Sequence, residues 1–157
     1  MIKFLNFKTT VRFIVSIFVC LAAGLVGSIF TTPAIPGWYA TLQKPSFSPP
    51  NFLFAPVWTT LYILMGISLA LILNKKNKTA IIFFVVQLVL NSLWSILFFG
   101  LKSPKLAFVE IIFLWLAILI TILKFFKISK LAGWLFVPYL LWVSFASFLN
   151  LTIVRLN

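Results

Sequence analysis

The chain has 157 residues, of which 63% are hydrophobic and 9% are charged, and its mean hydropathy is +1.19. A water-soluble domain of this size cannot hide so much apolar surface in one core, so the composition excludes a soluble fold. The net charge of +12 would indicate nucleic-acid binding in a soluble protein, but lysines at membrane helix ends meet anionic headgroups instead, and we expect no nucleic-acid partner.

Five apolar stretches approach the roughly 20 residues that cross a ~30 Å hydrocarbon core, and each predicts a transmembrane helix. A β-barrel would show alternating polar and apolar residues, whereas these runs are apolar on all faces. The loops between them are short except for the first. The sequence therefore predicts an all-α integral membrane protein, a single domain over 1–157 that forms one five-helix bundle. The predicted helices cover about 11–31, 54–74, 79–101, 105–124 and 131–154.

The first predicted helix has the basic flank of a cleavable signal peptide, with Lys3, Lys8 and Arg12. Its apolar run continues to Phe30, which is longer than the usual apolar part of a signal peptide, so we expect a retained helix. Cys20 lies inside this helix and is the only cysteine of the chain. One cysteine supplies neither a disulfide framework nor a metal cluster.

Between the first two helices, residues 32–53 form a polar stretch that is rich in aromatic residues. Its later prolines fix φ and remove amide donors, and they are Pro45, Pro49 and Pro50. Unpaired backbone groups cost several kcal/mol each in lipid. We therefore predict a rigid loop that lies outside the hydrocarbon or folds over the mouth of the bundle, and we call residues 32–53 the predicted lid.

The second, third and fifth helices each carry aromatic or amide side chains on one face at helical spacing. If these faces converge, they form a pocket for a large flat apolar ligand. The alternative interpretation makes the amides interhelical hydrogen-bonding groups and places Trp38, Tyr39 and Trp134 in interfacial belts, and periodicity alone favours it. The three faces comprise Trp58, Tyr62 and Met65, then Gln87, Asn91, Trp94 and Ser95, then Tyr139, Trp142, Ala146 and Asn150.

The inventory of reactive side chains is small, with no histidine, one carboxylate and one cysteine. Paired-carboxylate hydrolysis, a Ser-His-Asp relay and a His or Cys metal site are thereby excluded, and we expect no metal and no cofactor. Glu110 lies about two turns into the fourth helix. A proton relay through it would need titratable partners that the sequence does not supply, so we predict a structural hydrogen bond or stabilisation of the helix N-terminus.

The basic residues divide unevenly between the two ends of the predicted bundle. Nine precede the first helix or follow the second and fourth helices, and four fall on the other side: Lys44, Lys102, Lys105 and Arg155. Because cytoplasmic loops carry the excess of Lys and Arg, the N-terminus is predicted inside and the C-terminus outside. This bias fits a bacterial inner or plasma membrane.

Several blocks along the whole chain carry a resemblance to a known family. They include Trp38-Tyr39, Lys44-Pro45, Pro49-Pro50, Pro56-Val57-Trp58-Thr59, Leu90-Asn91, Trp94-Ser95, Pro138-Tyr139, Trp142-Val143 and Phe145-Ala146. In this pattern the chain resembles the translocator protein family, the tryptophan-rich sensory proteins also called peripheral benzodiazepine receptors.

The resemblance implies a five-helix bundle, commonly dimeric, that binds tetrapyrroles such as protoporphyrin IX as a sensor or regulator. It also implies a pocket roofed by the first loop and walled by the second, third and fifth helices. Trp58 and Trp142 match its facing pocket tryptophans, while Asn91 and Ala146 match the amide and the small residue. Two alternatives come with the family: light- and oxygen-dependent porphyrin breakdown at the two tryptophans, and transport of porphyrin or sterol.

Two positions depart from the family pattern. Phe47 stands where the family often has tryptophan, and the end of the fifth helix lacks the tyrosine of a cholesterol-recognition pattern, so cholesterol binding is not expected. The complete predicted ligand site is Trp38, Pro45, Phe47, Trp58, Tyr62, Gln87, Asn91, Trp94, Tyr139, Trp142, Ala146 and Asn150. Its expected partners are a porphyrin or other flat apolar ligand, membrane lipid and a second copy of the chain.

Overall fold

A computed structural model describes residues 6–157, and Lys3 of the predicted basic flank lies outside the described residues. The described residues form five long helices: α1 (Phe7–Ala34), α2 (Phe54–Leu73), α3 (Lys78–Ser95), α4 (Pro104–Ile128) and α5 (Lys130–Leu156). Two π-helical segments, Ile35–Tyr39 and Ile96–Gly100, continue α1 and α3, and a 3-10 turn, Asn51–Leu53, precedes α2.

Four of the helices begin at a residue whose side chain caps the free backbone amides. Asn6, Asn77, Ser103 and Ser129 each accept a hydrogen bond from an amide in the first turn of the helix that follows. The connections between α2 and α3 and between α3 and α4 contain Lys76 and Lys102, both with positive φ. These short turns make the helices that they join antiparallel, and α3 and α4 pack side by side.

The five helices form a closed ring in the order α1, α2, α5, α4 and α3. Each is long and apolar enough to cross a membrane. Large apolar side chains point outward all around the ring, among them Phe18, Leu25, Phe113 and Leu141, each at least 60% exposed. Water would not tolerate so much exposed apolar surface on one domain, whereas lipid does. The prediction of an all-α integral membrane protein is confirmed.

The first helix continues beyond its predicted end at residue 31. Helical backbone runs through Pro33 and Pro36 to Thr41, so the first ten residues of the predicted lid are helix. Proline removes a helix hydrogen bond, but local π-helical turns and hydroxyl side chains can satisfy the freed groups in membrane helices. Here the π-helical segment begins just after Pro33, and the Thr31 hydroxyl donates to the Gly27 carbonyl at 3.1 Å.

Small residues allow α1 to approach its two neighbours closely. A side chain at Gly66 of α2 would overlap the backbone of Ile17, and one at Gly27 would press on Ser95 of α3. The Ser92 hydroxyl of α3 also donates to the Ala23 carbonyl at 3.1 Å. Close packing and interhelical hydrogen bonds are the forces that remain when lipid surrounds the helices. They hold α1 against α2 and α3.

Two buried polar residues differ from expectation. Glu110 is 6% exposed, and neither of its carboxylate oxygens has a hydrogen-bond partner among the described residues. The structural hydrogen bond predicted for Glu110 is therefore not present in this part of the chain. Gln87 is fully buried in α3, and both polar atoms of its amide likewise lack a partner there.

We expect Gly66→Ala to destabilise the bundle, because the added methyl group would meet the Ile17 backbone, which cannot rotate away. Overpacking of this kind costs about 1–3 kcal/mol, which thermal unfolding in detergent would show as a lower midpoint. Gly37→Ala is the matched control, since nothing lies within 4 Å of a methyl group there. Equal unfolding midpoints for the two variants would show that α1 and α2 are farther apart at Gly66 than the structure describes.

Candidate functional site

One cavity of about 230 Å³ lies in the half of the bundle where α1 ends and α2 begins. Its walls come from α1, α2, α3 and α5, together with the two π-helical segments. Aromatic side chains dominate its lining: Tyr39, Phe54, Trp58, Tyr62, Trp94, Phe98, Phe99, Trp142 and Phe145. This composition suits a flat apolar ligand.

The aromatic walls are held in place by contacts with one another. Trp58 stacks on Tyr62 with ring centroids 5.6 Å apart and meets Tyr139 edge-on at 6.2 Å. Across the cavity lining, Trp142 meets Phe54 edge-on at 6.3 Å. Each ring is therefore fixed by a neighbour before any ligand arrives, which lowers the entropy lost on binding.

Asn91 joins three helices at the base of the cavity. The Tyr62 hydroxyl of α2 donates to Asn91 Oδ1, and Asn91 Nδ2 donates to the Tyr139 hydroxyl of α5 at 2.9 Å. All three side chains are buried. Asn91 thus has the interhelical role that periodicity favoured, and it also lines the cavity.

A second amide links α3, α5 and α4. The indole Nε1 of Trp94 donates to Asn150 Oδ1 at 3.1 Å, and Asn150 Nδ2 donates to the Pro104 carbonyl at 2.9 Å. Both Trp94 and Asn150 line the cavity. Because the two amides are already bonded within the protein, a ligand in this part of the cavity would be recognised mainly by shape and stacking.

The structure brings together seven of the twelve residues predicted for the ligand site. The cavity is lined by Trp58, Tyr62, Asn91, Trp94, Trp142, Ala146 and Asn150. Tyr139 lies behind this lining, bonded to Asn91, and Gln87 is buried one turn away along α3. The remaining three, Trp38, Pro45 and Phe47, do not line the cavity.

Residues 42–50, which we call the connecting loop, pack on the rim of the bundle. Phe47 stacks on Phe148 of α5 with ring centroids 5.2 Å apart. Two hydrogen bonds join Gln43 to Asn157. The backbone N–H of Gln43 donates to Asn157 Oδ1, and Asn157 Nδ2 donates to the backbone carbonyl of Gln43, both at 3.0 Å. The helical continuation of α1 forms the roof instead, with Ile35 and Tyr39 in the lining. Tyr39 is buried there and does not occupy the predicted interfacial belt.

The first helix supplies a wall that the sequence prediction missed. Gly24, Gly27, Ser28 and Thr31 line the cavity along one face of α1. Their spacing of three and four residues was a readable signal, because small side chains recurring at that period mark a face that another group approaches closely. At Gly24 this group is the ring of Tyr62, which a methyl group would overlap.

Comparison with known proteins agrees with this architecture. The TspO/MBR family model matches residues 16–156. The chain is 50% identical over 143 residues to the tryptophan-rich protein TspO of Chlorobaculum tepidum, covering 88% of this chain and 90% of the relative. It is 45% identical to the protein of the same name from Archaeoglobus fulgidus, covering 93% and 97%. It is 36% identical over 138 residues to the human translocator protein, covering 84% of this chain and 82% of the relative.

We expect Asn91→Leu to lower the thermal midpoint in detergent more than Tyr62→Phe or Tyr139→Phe. Leucine would leave two buried hydroxyls without their partner, whereas each phenylalanine removes one bond and keeps the ring. An interhelical hydrogen bond in a membrane protein contributes about 0.6 to 1.7 kcal/mol. A double-mutant cycle with Tyr62→Phe would check the coupling, and a wild-type midpoint for Asn91→Leu would contradict it.

Proposed function

The chain belongs to the TspO/MBR family, and from that premise we propose that it is a membrane-embedded binding protein for flat tetrapyrroles such as protoporphyrin IX, acting as a sensor or regulator. The observation that carries this proposal is the cavity between the Trp58–Tyr62 stack and Trp142. Aromatic rings make up much of its lining, and the amides of Asn91 and Asn150 are already bonded within the protein.

Such a cavity favours a ligand with a large π-surface over one that needs hydrogen bonds. A polar ligand would lose its hydration and gain little in return, because Asn91 and Asn150 already bond within the protein. A flat apolar ring gains both burial and offset or edge-to-face stacking, the latter worth about 0.5–1.5 kcal/mol per aromatic pair. The described residues also hold no cluster of metal-ligating side chains.

We further propose that the cavity end of the bundle faces away from the cytoplasm of a bacterial inner or plasma membrane. Eight basic residues of the described chain lie at the opposite end: Lys8, Arg12, Lys75, Lys76, Lys78, Lys124, Lys127 and Lys130. Four lie at the cavity end: Lys44, Lys102, Lys105 and Arg155. The excess of Lys and Arg on cytoplasmic loops then places the N-terminus inside.

Protoporphyrin IX should bind the purified protein saturably and quench its tryptophan fluorescence. We expect Trp58→Ala and Trp142→Ala each to weaken binding by about tenfold or more, because the lost stacking and burial exceed ~1.4 kcal/mol. Titration in detergent and in bilayers measures both dissociation constants. Absence of saturable binding by the wild-type chain in both media would reject the proposal.

Trp134→Ala is the matched control, since Trp134 is 64% exposed, packs on Phe126 and does not line the cavity. Its dissociation constant should equal that of the wild type.

Illumination in air of the porphyrin-loaded wild type and of a Trp142→Phe variant tests the enzymatic alternative that comes with the family. A discrete product that forms faster with the wild type than with Trp142→Phe would support light-driven breakdown, and equal rates would leave binding alone.

Cysteine labelling in intact cells tests the orientation. In a Cys20→Ala background, a membrane-impermeant maleimide should label Lys102→Cys at the cavity end and spare Lys127→Cys at the other end until the cells are opened. Both positions are exposed, so the contrast depends on sidedness and not on burial. The reverse labelling pattern would overturn the proposed orientation.

A further inference from the structure

The lining of the cavity is exposed at the protein surface in one place. Among all residues that line it, only Thr32, Asn51 and Ala55 are exposed at the surface of the described bundle. All three lie where the end of α1 faces the 3-10 turn and the start of α2. The lining residues of α3 and α5 are buried or half-buried. The cavity therefore reaches the surface between α1 and α2.

The contacts between these two helices explain the gap. Deeper in the bundle α1 and α2 touch closely, since Gly66 lies against Ile17 and Gly24 against the Tyr62 ring. Towards the cavity end, the Ser28 and Thr31 hydroxyls donate to carbonyls of α1 itself, at 2.8 and 3.1 Å. Among residues 6–157, no hydrogen bond joins 25–41 to 51–58. Nothing polar holds the two segments together there.

The connecting loop closes the opposite side. Phe47 stacks on Phe148, and Gln43 and Asn157 exchange two hydrogen bonds, so the loop is attached to α5. Lys44 also donates to the Tyr39 carbonyl at 2.8 Å, which ties the loop to the helical continuation of α1. Trp38 packs edge-on against Phe98 at 5.6 Å, which fixes the end of the first helix against the π-helical continuation of α3. A route through the top of the bundle would break all of these contacts, whereas a route between α1 and α2 breaks none of them.

The rim of the gap combines apolar and polar side chains. Leu25 and Ile29 of α1 are 65% and 68% exposed, which in a membrane helix places them against lipid, and the polar Thr32 follows three residues after Ile29. The rim also carries the amide of Asn51. Such a rim matches an amphiphile that rests at the interface, with a flat apolar body in the hydrocarbon and a polar or charged edge among the headgroups.

We propose that the gap bounded by Thr32, Asn51 and Ala55, which we call the lateral portal, is the route by which a flat amphiphilic ligand passes between the membrane leaflet and the cavity. The inference rests on the proposed function, since it takes the cavity to be the binding site. It adds that the ligand is drawn from the lipid phase and not from water through the connecting loop.

The test closes each of the two candidate routes into the cavity in turn. Ala55→Phe narrows the lateral portal. A Gln43→Cys, Asn157→Cys pair in the Cys20→Ala background, once oxidised, locks the connecting loop to α5, with the reduced protein as its own control. Stopped-flow tryptophan quenching then follows protoporphyrin IX as it leaves preloaded phosphatidylcholine vesicles for proteoliposomes. Thr60→Phe is the matched bulky variant, because Thr60 is exposed on α2 but does not line the cavity.

We expect Ala55→Phe to slow association and dissociation together, each by about tenfold, because a narrowed route obstructs passage in both directions. A mere loss of a binding contact would instead speed dissociation. Thr60→Phe and the oxidised loop lock should keep the wild-type rates. Wild-type rates in Ala55→Phe would overturn the portal. Failure of the proposed function is a different result, since the unmodified protein would then show no saturable quenching at all.

Discussion

The amide of Asn91 is bonded on both sides at the point where α2, α3 and α5 meet. In a bilayer no water stands ready to replace either bond, so rotating any of the three helices would leave a buried polar group unpaired. The rotation of α2 in turn fixes Trp58, which lies between the rings of Tyr62 and Tyr139. The aromatic wall of the cavity thus depends on an interhelical amide, and the structural and binding interpretations of Asn91 are two aspects of one arrangement.

The cavity itself exists because the first helix presents mainly small side chains to it. Gly24, Gly27 and Ser28 lie on the inward face, and Gly66 lets α1 and α2 touch in the other half of the bundle. The close contact at Gly66 fixes the distance between α1 and α2, and the small side chains of α1 at the cavity end then leave a volume that the neighbouring aromatic rings do not fill. The same small side chains line α1 where the cavity reaches the surface between α1 and α2, so the cavity and its lateral opening share one cause.

The sequence predicted the helices well because bilayer thickness and hydropathy fix their number and approximate length. It also predicted most of the cavity walls of α2, α3 and α5, since helical periodicity puts spaced aromatic and amide residues on one face. The predicted end of α1, at residue 31, was wrong. Proline ends most helices in water, yet Pro33 and Pro36 are accommodated here by a π-helical segment. The position of the connecting loop depends on Gln43 and Asn157, which are 114 residues apart, and no local pattern encodes such a pairing.

The size of the cavity connects the proposed binding site to the proposed lateral portal. At about 230 Å³ it lies below the roughly 300–1,000 Å³ of sites that enclose a drug-sized ligand. A tetrapyrrole would therefore leave one edge outside unless helices moved, and the exposed part of the lining lies at Thr32, Asn51 and Ala55. A ligand whose ring lies between Trp58 and Trp142 would then keep its charged edge at the headgroups. In that arrangement the residues that would admit the ligand would also orient it, and the same rim would select for an amphiphile in both steps.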